Sequence, residues 1–253
     1  MKYFVDKKSI VRQIWGKGDT ILFIFAGASA EFALNKAVDW LYFTGRLPSD
    51  PLGRLFSTVA YARQIIFSEY DNAIKTIDQI TAIHQGVEQS RGEKIPDWAY
   101  RDVLFMLIDY SIRSFELLER KLSIAEKEDI FAVFYQVGLH MRLAGLPLNF
   151  KQWQSMREQH LQENLVRSKF TVNLYQQYLK HLGSARYQAL KQAQVLVVPK
   201  KVNQLLNLGG IRWLYPVVGL YRLARTIKLE GILKNAILPP AYKAQIMDLD
   251  IAD

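Results

Sequence analysis

Cysteine is absent from the 253 residues, and that one absence closes several routes at once. No disulfide framework, iron–sulfur cluster, thiolate zinc site or thiolate-held haem can be built without it. Histidine is scarce as well: His84, His140, His160 and His181 are the full set. None belongs to an HExxH pair or stands four residues from another, so a zinc or di-metal motif on one helix is excluded. A facial triad would need two of them joined by the fold. G-x-S-x-G, Walker and GxGxxG loops are all missing, and most familiar enzyme classes fall away with them.

Long apolar runs are also lacking. The longest early one, Ile21 to Leu34, contains Glu31 and falls short of the roughly 20 residues needed to cross a bilayer, so it reads as a buried helix. The opening MKYFVDKKSIVRQIW has no apolar centre and no small-residue cleavage site, so no signal peptide is expected. A cytoplasmic location follows as the expectation. No repeat, low-complexity tract or linker divides the chain.

What is present is apolar residues and an uneven charge. Hydrophobic residues make up 50% of the sequence, enough for a large core, and the net charge is +9. Between Lys180 and Lys243 eleven basic residues face one acid, Glu230, so residues before Lys180 are close to neutral. Trp213, Tyr215, Leu220, Tyr221, Leu223 and Ile227 interleave with these charges. No nucleic-acid recognition motif accompanies them, so nucleic acid is not expected as a partner. Peripheral contact with an anionic membrane and a plain solvated face are equal readings of that tail.

Periodicity gives helices throughout, and we read residues 1–253 as one all-α domain with a basic helical part from about 180. Residues 1–19 form a lead-in helix and turn. Asp19 and Thr20 cap a helix from about Ile21 to Phe43, narrow at Gly27, Ala28 and Ala30, where another helix or a flat ligand can approach. Asp50 caps the next, with Pro51 at its first position. Leu52, Leu55, Phe56, Val59 and Ile66 form its core stripe. Ile74, Ile77, Ile80, Ile83 and Val87 stripe a following helix, with His84 on its buried side, before a polar break. A helix from about Trp98 to Lys121 comes next, then one capped by Ser123 with Glu126 and running to about Leu143, then one through Lys151–Val166 capped by Asn149. Two or three more fill Thr171–Val198 and the tail.

The polar residues inside this apolar pattern are the candidate site. Arg54 and Thr58 stand four apart on one helix face. Glu31, in its apolar run, must meet a cation or be held protonated. Asp109 and Arg113, four apart, are suited to pair. His84, alone on an apolar face, suffices as the single axial ligand of a haem, with Arg54 and Thr58 as donors for the other face. A satisfied core histidine is the simpler alternative.

DPLGRLFSTV followed by His84, LIDYSIRSFE (107–116), LPLNFKQWQSMREQHL, KHLGSARYQAL and ILPPAYKAQI together resemble the MpaB and rubber oxygenase family of helical haem oxygenases, in its MpaB-like branch. The resemblance implies haem b, with His84 as the proximal iron ligand and Arg54 and Thr58 as the distal R-x-x-x-T pair. It implies oxidative cleavage of a carbon–carbon double bond in an isoprenoid or other hydrophobic substrate by O2. Arg54 and Thr58 would stabilise negative charge on oxygen, and Glu31 would take an allylic proton. Asp109 and Arg113 match recurrent positions, and Arg157 and His160 would support the haem or its propionates. Ser57 replaces a lysine that reaches the iron in the rubber-cleaving relatives. Leu104 and Ala26-Gly27 stand where many relatives carry histidine and His-Pro. A haem-binding sensor or carrier, and a cofactor-free module for lipid or a partner protein, are the alternatives. The electron donor is not readable from these residues.

Overall fold

The computed structural model describes residues 2–45 and 49–210 together with Pro216, Val218 and Gly219. Expectations for Trp213, Tyr215 and most of the basic tail lie outside the described residues, as do the side chains of Leu52 and Leu55. The described residues form helices α1 (Ile10–Trp15), α2 (Gly18–Phe32), α3 (Val38–Phe43), α4 (Pro51–Phe67), α5 (Tyr70–Arg91), α6 (Asp97–Leu118), α7 (Ile124–His140), α8 (Phe150–Glu163), α9 (Lys169–Val197) and α10 (Lys200–Leu206). Among them there is no strand, only the isolated bridges Tyr3 to Glu69 and Asn35 to Leu165. The fold is all-α. No described helix is long and apolar enough to cross a membrane.

Local chemistry sets the helix starts. The Asp50 carboxylate accepts the Gly53 N–H at 2.9 Å, with Pro51 in the first turn. Ser123 and Glu126 form a reciprocal capping box, and Asn149 accepts the Gln152 N–H at 2.9 Å. Val197 ends α9 and Val198 turns extended before Pro199, as the residue before a proline prefers.

Two expectations need correction. The single helix from Ile21 to Phe43 is two, because Asn35 has better partners than a helix offers. Its side-chain oxygen accepts the Ala37 N–H at 2.8 Å and its amide donates to Asp102 at 3.2 Å. The backbone there is stitched to the α8–α9 joint by Lys36 N–H to Asn164 O, 2.9 Å, and Val166 N–H to Leu34 O, 2.7 Å. The polar break after His84 starts later than expected: α5 continues through Gly86 to Arg91, and Gly92, whose φ of 74° suits a residue without Cβ, caps it. The segment from Thr171 to Val198 holds more than one helical piece, as expected: two limbs of α9 meet at Gly183, whose φ 73° and ψ 167° are not helical.

The central pair is α2 against α6. Ile21, Ile24 and Ala30 of α2 are buried with Phe105, Ile108 and Tyr110 of α6 in one core that α1, α4, α5, α7, α8, α9 and α10 join. The narrow stretch of α2 is where the two approach: a Cβ on Gly27 would lie 2.2 Å from the Tyr110 ring. That ring is fully buried and its hydroxyl is pinned to Glu31, so it has no room to retreat. Gly27→Ala is therefore expected to lower stability by about 1–3 kcal/mol, read as a drop in urea midpoint with unchanged slope.

Helix α5 is supported at both ends and partly exposed between. Ala73, Thr76 and Ile77 are buried at its front. At its rear Arg91 donates to Asp39 of the α3 helix at 2.8 Å and lies 4.0 Å over the Trp40 ring. Between these anchors Ile80, His84 and Val87 are half-buried, Ala82 and Gly86 are exposed, and Ile83 is 45% exposed. The apolar stripe is real, and among the described residues one flank of its middle, at Ile83, is exposed.

Candidate functional site

The structure gathers the candidate residues into two groups. The first joins α4 to α5. Arg54, Ser57 and Thr58 close on one another within a turn of α4: the guanidinium donates to Thr58 Oγ1 at 3.0 Å and to Ser57 Oγ at 3.2 Å. Both hydroxyls donate back to the Arg54 carbonyl, at 2.8 Å from Ser57 and 3.2 Å from Thr58. All three side chains are half-buried, so the charge and hydroxyls are held in place while part of each faces outward.

His84 is across from them. Burial and the Arg54 charge push its pKa down to about 4, against a smaller opposing pull from Glu88 and the Ile80 carbonyl. The ring is thus neutral at physiological pH, the form that ligates a metal. Its Nδ1 is buried with no hydrogen bond of ordinary geometry, and the Tyr100 ring meets it edge-on at 5.2 Å. Tyr100 is fixed by donating to Glu88 at 3.0 Å, and Glu88 also accepts the Ile95 N–H at 2.9 Å.

These residues fit a haem on three counts. The imidazole is neutral, its helix flank is apolar and exposed at Ile83, and a Cβ at Gly86 would meet only open space. Among the described residues no cluster of three His, Asp or Glu could hold a bare metal ion, a requirement haem does not have.

The second group is a buried ion network joining α2, α6 and α8. Arg157, 4% exposed, grips both oxygens of fully buried Glu31, with Nη2 to Oε2 at 2.6 Å. Its Nε and Nη2 also donate to Asp109 Oδ2 at 3.1 and 2.9 Å, and Arg113 Nε donates to Asp109 Oδ1 at 2.7 Å. His160 Nε2 is 2.9 Å from Glu31, and its Nδ1 makes a close ion-pair contact with Asp102 at 2.6 Å. Tyr110 donates to Glu31 at 2.8 Å, while Asn35 and Asn164 donate to Asp102 at 3.2 and 3.0 Å.

Burial would raise the Glu31 pKa, but the charge and hydrogen bonds of Arg157, then His160, outweigh it and hold the carboxyl at about 2. Burial opposes the charge on His160 too, and Asp102 and Glu31 overcome it, so its pKa is raised. Glu31, Asp102 and Asp109 thus lie against Arg113, Arg157 and His160, acidic and basic side chains in equal number. Glu31 meets its cation, the first of the two outcomes open to it. A carboxylate this acidic and enclosed is a weak proton acceptor, and the nitrogens of Arg157 and His160 are engaged by carboxylates of the chain itself.

Sequence reasoning missed Asp102, Tyr110, Asn35 and Asn164 in this network, and Tyr100 and Glu88 beside His84. Spacing held a usable signal: Asp102 and Asp109 flank the apolar run of α6 seven apart, and Arg157 and His160 are three apart on α8, each pair sharing a face. Leu104 is buried against Gly138, a wall of the core.

The described residues thus form an all-α protein with a neutral histidine near the Arg54 charge and, as a separate group, a buried ion network. The chain matches the family described as ER-bound oxygenase mpaB/B'/Rubber oxygenase, catalytic domain, over residues 13–229, and it belongs to that family. No curated protein matches it, and no solved structure does.

Proposed function

We propose that this family member is a haem b-dependent oxygenase that uses O2 to cleave a carbon–carbon double bond in a hydrophobic unsaturated substrate of the isoprenoid kind. The observation that carries the reading is the neutral, largely buried His84 imidazole beside an apolar flank exposed at Ile83, with Arg54 close enough to depress its pKa and tied to Thr58. His84 would hold the iron, and the apolar side chains of α5 would lie against the macrocycle. Haem, when bound, supplies the activation of O2 that no side chain of this protein can provide.

The chain's own contribution is charge placement and exclusion of water. Arg54 stays cationic at every working pH, and Thr58 and Ser57 hold its guanidinium by accepting from it. Negative charge developing on substrate oxygen would meet a fixed cation and a hydroxyl in a partly dry site. Glu31, Asp109, Arg113, Arg157 and His160 serve beneath, fixing α2, α6 and α8 so that the helices carrying the reactive groups keep their spacing. A hydrophobic substrate also gives the basic tail a reason to touch anionic membrane.

The visible spectrum of the purified protein supplied with haem tests this first: a Soret band is expected, and its absence overturns the proposal in favour of a cofactor-free module. Oxygen uptake with a polyisoprenoid, with carbonyl products formed, separates an oxygenase from a haem sensor. Arg54→Ala should keep the Soret band and lose turnover by about a hundredfold or more. Full turnover in that variant would show that the distal assignment is mistaken.

A further inference from the structure

Away from Arg54, Thr58 and His84, the bend of α9 creates a second concavity. The limb before Gly183 and the limb after it, closed by the end of α10, enclose a groove of about 360 Å³. That volume is in the range of small-molecule sites. Val172, Leu179, Leu206 and Leu208 supply the apolar part of a lining that Thr171, Gln176 and Asn207 otherwise make polar, and Val172 and Leu179, seven apart on one limb, are 45% and 43% exposed. Two cations, Arg167 and Lys191, line the same groove, and no carboxylate does. Among the described residues neither makes an ion pair; Lys191 stands 5.8 Å over the Tyr187 ring, itself part of the lining.

An apolar wall beside two uncompensated cations selects for one kind of molecule. The wall rewards burial of an alkyl chain, and the cations reward a carboxylate or phosphate head, which the Arg167 fork can hold through two parallel hydrogen bonds. We propose that this groove is a binding site for a single-chain amphiphile with an anionic head. The site does not rest on the oxygenase reading, and shares no residue with it.

Sodium decanoate, kept below its micelle-forming concentration, is the probe, and calorimetry on the full chain is the measurement. One saturable site is expected. Uncharged 1-decanol should bind at least tenfold more weakly, and the Arg167→Gln/Lys191→Met variant should bind the two alike. Arg167 is exposed and Lys191 only half-buried, so circular dichroism should show the fold intact; Arg167→Gln alone is the milder version with the same expected direction. Absence of saturation, or unchanged decanoate affinity in the double variant, overturns the proposal. It is overturned equally if the two cations matter only for binding to phosphatidylglycerol vesicles and free decanoate is ignored.

Discussion

His84→Ala should abolish the Soret band while leaving helix content and stability at neutral pH intact or slightly improved. A single axial imidazole has no substitute among the neighbouring side chains, because Tyr100 is committed to Glu88 and Arg54 is a cation. Alanine is the strongest helix former, and the substitution also removes a ring whose charged form this site disfavours. The two effects separate cofactor loss from unfolding. pH sharpens the comparison. The folded pKa of His84, about 4, lies below the ordinary value of 6.5, so the unfolded chain binds more protons between the two. Stability contributed by the neutral ring is full above pH 6.5 and is lost as pH falls toward 4, by roughly 2–3 kcal/mol in total. The wild-type protein without haem should therefore lose ground to the alanine variant across that window. Parallel pH profiles would show that position 84 is not the neutral buried ring described here.

Arg157→Met should be the most destabilising single change outside the α2–α6 contact. It leaves Glu31 and Asp109 without their shared guanidinium in a buried setting, and loss of one partner of such a pair costs about 3–5 kcal/mol. Urea unfolding measures it, and a loss below about 1 kcal/mol would show that the network is not the brace assigned to it. Adding Glu31→Gln to the methionine variant should recover part of the loss, since the stranded charge is then removed. The pH limits follow from the same groups. The Glu31 contribution is present above its unfolded pKa near 4.5 and is lost as pH falls through about 2. The His160 contribution is present below 6.5 and is lost as pH rises through its raised folded value. The intact network is thus a property of the middle of the pH scale, and the deficit of Arg157→Met should shrink as acid protonates the stranded Glu31.

The helical class was readable because the apolar period persists nearly everywhere and caps at Asp50, Ser123 and Asn149 are local chemistry. The division of the Ile21–Phe43 stretch was not, because it depends on Asp102 and Asn164, which come near Asn35 only in the folded chain. Arg54 and Thr58 were legible for the same reason as the caps: a four-residue spacing puts them in contact without help. The pairing of Asp109 with Arg113 was foreseen, yet its larger meaning was not. Arg157 of a distant helix completes it, and sequence periodicity carries no information about which faces meet. His84 was placed on an apolar face correctly, and the degree of its enclosure was beyond what a stripe can tell.

The two-ended support of α5 has a consequence for how a prosthetic group would be received. Its imidazole is positioned by a beam resting on distant piers, one at Ala73–Ile77 and the other at Arg91, with the Tyr100 ring edge-on beside it. A guest settling on the open span would find the coordinating atom already at its post, so the ordering entropy is met before arrival. Loading should then leave the far-ultraviolet dichroism almost unmoved, the mark of a scaffold that waits and does not refold.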